Sequence, residues 1–289
     1  MSMSRMPRAR KDVVERIQEA TDYPVRRLED GWVAGHFFNC WLSSVFQPIA
    51  DMSARKVMGH AAYIRSATDG TTVLSPWKLF ALTEGDTLLV RFDRLCRAIH
   101  AINYFEHAPQ GNLFVTVQPR LLESVKDDHG RAFESILNII GIETSRVVIE
   151  IPIEVNRDSR LLKHVISNYR SRGYQIAVNH SSTNEDWLAE LASLYPLYPD
   201  IVRLEASVLL RHSGTGSLVD TIHHFGASVL VHEIETSQQM AIAAQAGADF
   251  LQGRALGVPA RAIESVVPII EGPYTTFGAV PGAGRALKV

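Results

Sequence analysis

A buried strand that turns polar at its end is the first sign of chemistry in this chain. The segment QIAVNHSSTN, residues 175 to 184, is apolar up to Val178 and then places an amide, Asn179, beside an imidazole, His180. Asn, Ser and Thr favour loop starts because they bond their own backbone, so an ordinary turn explains this end taken alone. A functional explanation requires that other strands end in the same way.

Several other apolar segments do end in polar side chains. A buried carboxylate or imidazole is costly unless it is paired or bound to a metal, and in α/β barrels the chemistry gathers at the carboxyl ends of the strands. The recurrence therefore predicts a polar pocket at one end of a sheet. The candidates are Thr116, Gln118, Glu150, Asn179, His180, Arg203, Glu205, His232, Glu233 and Gln252.

Eight short apolar segments must position these residues. The short polar link between the first two favours an antiparallel pair, and from the third onward strands alternate with helix-length segments, which predicts parallel pairing with right-handed crossovers. Eight strands close a barrel. The predicted fold is α/β, a TIM-like (β/α)8 barrel with its first strand antiparallel, plus N-terminal helices. The predicted strands are 45–51, 59–66, 113–119, 147–153, 175–181, 201–207, 229–235 and 250–256.

The N-terminal and C-terminal segments are expected to lie outside the barrel. Residues 12–43 resemble one or two helices, and the second carries an aromatic stripe that is expected to pack on the barrel. The predicted division is a helical extension over 1–27, the barrel over 28–270, and a flexible Gly- and Pro-rich tail over 271–289. The stripe consists of Trp32, Phe37, Phe38 and Trp41.

Composition excludes several classes of protein. With 29 Lys and Arg against 31 Asp and Glu, the chain has no global attraction to DNA or to an anionic membrane. No apolar run approaches the roughly 18 residues that span a bilayer, and the basic N-terminus lacks the apolar stretch of a signal peptide. We therefore expect a cytoplasmic protein. Cys40 and Cys96 lie in apolar helical patterns, which predicts core packing.

Five motifs, in order and with matching spacing, resemble those of the EAL domains, which hydrolyse the bacterial messenger cyclic di-GMP. FQPIAD is similar to the family's YQPIVD, VVIEI to its LEIT strand, and DIVRLEAS to its DxxKID. VHEIET and GADFLQGRALGVP are similar to its AEGVET and GxxxxQGYxxxxP. The resemblance covers roughly residues 28–265 and implies the same barrel fold.

The resemblance also implies that most of the catalytic set is replaced. Family members hold two divalent cations with carboxylates and an Asn, and a Lys places the attacking water. Here the glutamate that names the family corresponds to Ala61, and only Glu150 is kept among the metal carboxylates. Hard divalent ions need several anionic oxygens, so neither a catalytic residue nor a metal ion is expected. The other replaced positions are Thr116, Asn179, His180, Arg203 and His232.

Part of the family's ligand set survives. Gln47, Arg65 and Gln252 stand where the family has its QP glutamine, its phosphate-binding Arg and the Gln of its QGY motif, and Arg suits phosphate because its planar fork donates two bonds. If cyclic di-GMP binds, these three residues and Glu150 are the expected contacts. The Tyr of QGY is replaced by Arg254, and the Gly- and Phe-containing loop after Asn179 has become SSTN, which removes glycines that allow close approach of a ligand.

Three functional hypotheses follow. The first is a catalytically inactive EAL-like regulator that acts through an unidentified protein partner in a cyclic di-GMP-related pathway. The second is a metal-independent cyclic di-GMP receptor. The third is a hydrolase with a Zn²⁺ or Fe²⁺ site rebuilt from Glu150, His180 and His232, a ligand set that suits those ions better than Mg²⁺. No cofactor, DNA or membrane partner is expected, and the family resemblance allows a homodimer.

Overall fold

The computed structural model describes residues 11–68, 72–74, 85–108, 110–125, 128–180, 195–211 and 215–263. The strands are β1 (Val25–Arg27), β2 (Val33–Phe37), β3 (Cys40–Asp51), β4 (Lys56–Thr68), β5 (Thr72–Leu74), β6 (Asn112–Thr116), β7 (Val147–Ile151), β8 (Gln175–Asn179), β9 (Ile201–Glu205), β10 (Ser228–His232) and β11 (Phe250–Gln252). The α-helices of the described ranges are α1 (Val13–Ala20), α2 (Asp86–His107), α3 (Pro119–Ser124), α4 (Arg131–Ile140), α5 (Ser159–Ser171), α6 (Ala206–Arg211), α7 (Thr215–His224) and α8 (Ser237–Gln245).

Eight of the strands close a barrel. Going round it, the order is β3, β11, β10, β9, β8, β7, β6 and β4, and the additional β3–β4 pairing closes the ring. β3 is antiparallel to both of its barrel neighbours, whereas the pairs from β4 through β6 to β11 are parallel. This confirms the predicted TIM-like barrel with an antiparallel first strand, and each predicted strand contains or overlaps an observed one.

The barrel has an apolar interior floor and an apolar outer shell. One inward side chain from each of the eight strands belongs to the interior cluster, and the alternate residues pack against the surrounding helices in a separate, larger core. Because strand side chains alternate between faces, the next inward position along each strand lies one layer closer to the carboxyl ends of the parallel strands. The interior set is Ile49, Ala61, Phe114, Val148, Ala177, Ile201, Leu230 and Phe250.

The prediction of a second N-terminal helix carrying the aromatic stripe is wrong. Residues 33–37 form β2, which pairs antiparallel with the start of β3 through a two-residue turn between Phe37 and Cys40, with Phe38 at a positive φ of 50°. β1 in turn pairs with β2. The spacing of Phe37 and Trp41 suits a helix, but β3 extends past the barrel and offers a free edge, and pairing with that edge overrides local propensity. Of the predicted N-terminal helices, only α1 forms within the described residues.

Three further expectations have different outcomes. Cys40 and Cys96 are free and buried, as predicted, and burial raises the pKa of the Cys96 thiol. No helix of the described residues is both long and apolar enough to cross a membrane, and the cytoplasmic location stays a prediction. The boundaries at residues 27 and 270 also stay predictions, and the tail over 271–289 lies outside the described residues.

Candidate functional site at the barrel mouth

A layer of mostly polar side chains lies directly above the apolar floor, at the carboxyl ends of the parallel strands; we call this end the mouth. Each barrel strand contributes the inward position next to its floor residue, so the layer follows from strand alternation alone. β3 runs in the opposite direction and therefore contributes the residue before its floor position. The layer comprises Gln47, Tyr63, Thr116, Glu150, Asn179, Arg203, His232 and Gln252.

A buried ion pair occupies the centre of this layer. The guanidinium Nη1 of Arg203 on β9 lies 3.2 Å from Oε2 of Glu150 on β7, and the two side chains are 9% and 4% exposed. The Thr116 hydroxyl at the end of β6 donates to the same carboxylate oxygen at 2.5 Å. The single carboxylate that the family resemblance retains is thus neutralised by a cation of the chain itself.

A chain of amide and phenol groups continues from the ion pair to the opposite wall. Arg203 donates to Oε1 of Gln252 at 3.1 Å, and the Gln252 amide donates to Oε1 of Gln47 at 3.0 Å and to the Tyr63 hydroxyl at 2.9 Å. Tyr63 donates to Oε1 of Gln47 at 3.2 Å, and the Gln47 amide donates to the Gly257 carbonyl. Burial, with Glu150 next in effect, raises the pKa of Tyr63 to about 12, so the phenol keeps its proton at neutral pH.

Three more of the predicted residues lie on, or directly after, β4 and β8. Asn179 donates to the Ile151 carbonyl at 2.9 Å. His180 follows it on the strand and is buried, and its backbone N–H donates to the Arg203 carbonyl. Arg65 lies on the part of β4 that extends past the barrel, opposite Ser43 in the β3–β4 ladder; its side chain is exposed, and its guanidinium makes no hydrogen bond or ion pair with another described residue.

The side chains present do not fit a divalent metal. Mg²⁺ requires several anionic oxygens, whereas Arg203 places a positive charge against the one retained carboxylate. The hypothesis of a rebuilt Zn²⁺ or Fe²⁺ site stays a prediction: within the described ranges, which include Glu150, His180 and His232, no three His, Cys, Asp or Glu residues are grouped to hold an ion. The reason is that Asn179 takes the inward position, so the next residue faces the other way.

We expect acid to destabilise the protein through its buried histidines. His100 and His232 have pKa values lowered to about 3, mainly by burial, against about 6.5 in the unfolded chain. Below pH 6.5 the unfolded state therefore binds more protons than the folded state, and the free energy of unfolding falls as the pH falls. The two groups together should lower the free energy of unfolding by about 2–3 kcal/mol per pH unit between pH 6 and pH 4, measured by urea denaturation.

A single substitution separates this effect from general acid sensitivity. His100→Asn removes one titrating ring and should flatten the pH dependence by roughly half of the two-histidine slope. The control is His224→Asn, because His224 is exposed. An unchanged slope in the His100 variant, or an equal flattening in both variants, would contradict the assignment.

Sequence reasoning missed Tyr63 as a member of the site. Ala61, Tyr63 and Arg65 alternate on one face of β4, while Ile64 and Ser66 are buried on the other. The signal that could have found it is this period of two. Ala61 and Arg65 are four residues apart on one strand and share a face, so Tyr63, midway between them, must lie on that face as well. Tyr63 is the residue that links Gln47 to Gln252 from β4.

A closed α/β barrel with one antiparallel strand and a polar mouth is the class of protein that the fold and the site define. The particular family follows from a comparison with family models: the model described as the EAL domain matches residues 32–259. The chain belongs to the EAL domain family.

Relatives of known sequence and structure agree with this membership. The chain is 27% identical over 229 residues to the uncharacterised EAL-domain protein YkuI of Bacillus subtilis, covering 74% of this chain but only 54% of YkuI. It therefore spans about half the length of the curated relative it matches. YkuI solved with cyclic di-GMP and calcium superposes with a TM-score of 0.64 at 23% identity, covering 78% of this chain and 57% of YkuI.

Two further solved structures show the same fold. A standalone EAL protein from Vibrio cholerae O395, solved with cyclic di-GMP, gives a TM-score of 0.64 at 18% identity over 79% of this chain and 96% of its own. Klebsiella pneumoniae BlrP1, solved with calcium and cyclic di-GMP, gives 0.65 at 23% identity over 78% of this chain and 57% of its own. At these identities the likeness shows the fold alone.

Proposed function

We propose that this protein is a catalytically inactive EAL domain that regulates a cyclic di-GMP-related pathway through a protein partner. The observation that carries the proposal is the ion pair between Nη1 of Arg203 and Oε2 of Glu150, which lie 3.2 Å apart, with both side chains buried. A guanidinium at this place neutralises the carboxylate and repels any incoming cation. The centre of the mouth is therefore built as a self-paired network rather than as a metal cage.

The residues around the ion pair support the same proposal. The positions that the family resemblance assigns to metal ligands carry Ala61, Thr116, Asn179, His180 and His232, none of which supplies an anionic oxygen. Hydrolysis through two metal ions needs both cations held at once. With no means of hydrolysis, the remaining role of an EAL barrel is binding, and the altered SSTN loop favours a protein partner over the messenger.

Hydrolysis assays test the inactivity directly. We expect the purified protein to convert no cyclic di-GMP to its linear product with Mg²⁺ or Mn²⁺, because removing even one well-placed charge stabiliser costs a hundredfold or more in rate. Turnover at about 1 per second or faster, the ordinary range of enzymes, would refute the proposal. A metal-loaded active EAL protein assayed in parallel controls for the quality of the substrate.

Pull-down of a partner by wild-type protein, lost on competition with untagged protein, tests the partner role.

A second candidate function, a metal-independent cyclic di-GMP receptor, is favoured by Arg65. Of the four residues expected to contact the messenger, Glu150 is committed to Arg203, and Gln47 and Gln252 bond to each other. Arg65 is exposed beside the mouth, and its guanidinium is bonded to no other described residue. An exposed guanidinium of this kind suits a phosphodiester.

Replacement of Arg65 measures the receptor function. If the messenger binds, Arg65→Ala should weaken its affinity ten- to hundredfold, since a hydrogen bond to a charged group contributes about 1.5–3 kcal/mol, and binding should be unaffected by EDTA and weakened by salt. Isothermal titration calorimetry with cyclic di-GMP gives the affinity. Arg55→Ala, an exposed Arg in the link at the other end of β3 and β4, is the matched control. Absence of heat with wild-type protein at saturating messenger would eliminate the receptor candidate.

A further inference from the structure

Tyr63 and Arg65 form an aromatic and cationic pair on one exposed face of β4. Residues two apart on a strand share a face and lie roughly 7 Å apart, and the burial of Ile64 and Ser66 on the opposite face establishes that alternation here. Tyr63 is 36% exposed, although its hydroxyl is bonded to Gln252 within the mouth. The ring therefore presents part of its surface to solvent while its tip is anchored.

The anchoring holds the ring in one place. The hydroxyl accepts from the Gln252 amide at 2.9 Å and donates to Gln47 at 3.2 Å, and these partners come from strands β11 and β3. A ring fixed by two hydrogen bonds loses little conformational entropy when a ligand stacks on it. The position is also informative: the Glu-Ala-Leu tripeptide of the family corresponds to Ala61-Ala62-Tyr63, so an aromatic ring stands here in place of an aliphatic side chain.

We propose that Tyr63 is a stacking platform for the base of a nucleotide whose phosphate is bound by Arg65. The inference rests on the receptor candidate and adds the residue that selects for a planar base. Aromatic side chains bind bases of every kind through their π-faces, and a guanidinium about 7 Å along the strand reaches the phosphate that the sugar joins to that base.

Three probes and two substitutions test the proposal by calorimetry. The probes are cyclic di-GMP, GMP and inorganic phosphate; the variants are Tyr63→Phe, which keeps the ring and removes the hydroxyl, and Tyr63→Leu, which removes the ring. We expect Tyr63→Leu to weaken the affinity for both nucleotides roughly tenfold or more. Tyr63→Phe should weaken that affinity less than about threefold. Neither variant should change the affinity for inorganic phosphate, because that probe has no base. Near-ultraviolet circular dichroism confirms that both variants keep the native fold.

The outcomes separate this inference from the receptor function. GMP binding that depends on the ring, without any binding of cyclic di-GMP, supports the platform and refutes the receptor. Cyclic di-GMP binding that Tyr63→Leu leaves unchanged refutes the platform and supports the receptor. Equal losses for phosphate and for nucleotides show that Tyr63 acts only by holding the network, and this too overturns the platform. A wild-type protein that binds neither nucleotide at millimolar concentration overturns both.

Discussion

Arg203→Met is expected to lower the free energy of unfolding by about 3–5 kcal/mol, the usual effect of removing one partner of a buried ion pair. The loss arises because Glu150, with its side chain 4% exposed, would be left as a buried carboxylate without a cationic partner, bonded by the Thr116 hydroxyl alone among the described side chains named at the mouth. Met fills much of the same volume, so a cavity contributes little. Urea denaturation monitored by circular dichroism measures the change.

Two companion variants give this measurement its meaning. Arg254→Met removes an exposed ion pair with Glu235, whose side chains are 67% and 46% exposed, and should cost less than about 1 kcal/mol. The double variant Arg203→Met with Glu150→Gln removes both charges and should recover most of the lost stability, since the neutral amide is far cheaper to bury than the carboxylate. A single Arg203 variant as mild as the Arg254 control would show that the pair does not organise the mouth.

Gly253→Ala is expected to lower the free energy of unfolding by more than about 4 kcal/mol or to prevent folding. Only a few mechanisms reach an effect of this size, and severe overpacking is one of them. A Cβ at this position would overlap the backbone nitrogen and oxygen of Ile234, and backbone atoms cannot move aside as side-chain tips do. The Ile234 N–H bonds the Gln252 carbonyl, and its carbonyl accepts from Ala255. The same close approach therefore holds Gln252, the member of the site that joins Arg203 to Gln47.

Gly141→Ala is the matched control for Gly253→Ala. Gly141 ends α4 at a φ of 77° and has nothing within 4 Å of the added Cβ, so only the left-handed conformation is penalised, at about 1 kcal/mol. Thermal and urea denaturation of both variants compare the two costs. Equal, small losses in both would contradict the idea that backbone contact at Gly253 locks this side of the mouth.

The eight barrel strands were predictable from the sequence because each is a short apolar run with polar ends, separated by helix-length segments. Their predicted ends extend a few residues too far on several strands, for example 113–119 against Asn112–Thr116. Polar residues at strand ends look alike whether they continue the strand or begin the loop. Only hydrogen-bond pairing to the neighbouring strand decides where a strand stops.

The N-terminal hairpin was not predictable in the same way. Trp32, Phe37, Phe38 and Trp41 satisfy a helical spacing, and local preference for helix or strand is weak against the gain from completing a sheet edge. β2 forms because β3 runs past the barrel and exposes unpaired backbone groups from Cys40 to Leu42, which β2 bonds.

The sequence by itself determined the barrel, the family, and seven of the eight residues that meet at the mouth, all but Tyr63, because strand alternation and motif order are local properties of the chain. Only the tertiary structure decided how those residues pair. Arg203 and Glu150 are 53 positions apart and come from strands separated by β8, yet they form the ion pair at the centre. Tyr63 joins Gln47 and Gln252 from a third place in the chain. Which charges neutralise one another, and which ring or cation stays open to a ligand, depends on distances across a closed barrel, and such distances arise only when all eight strands are in place.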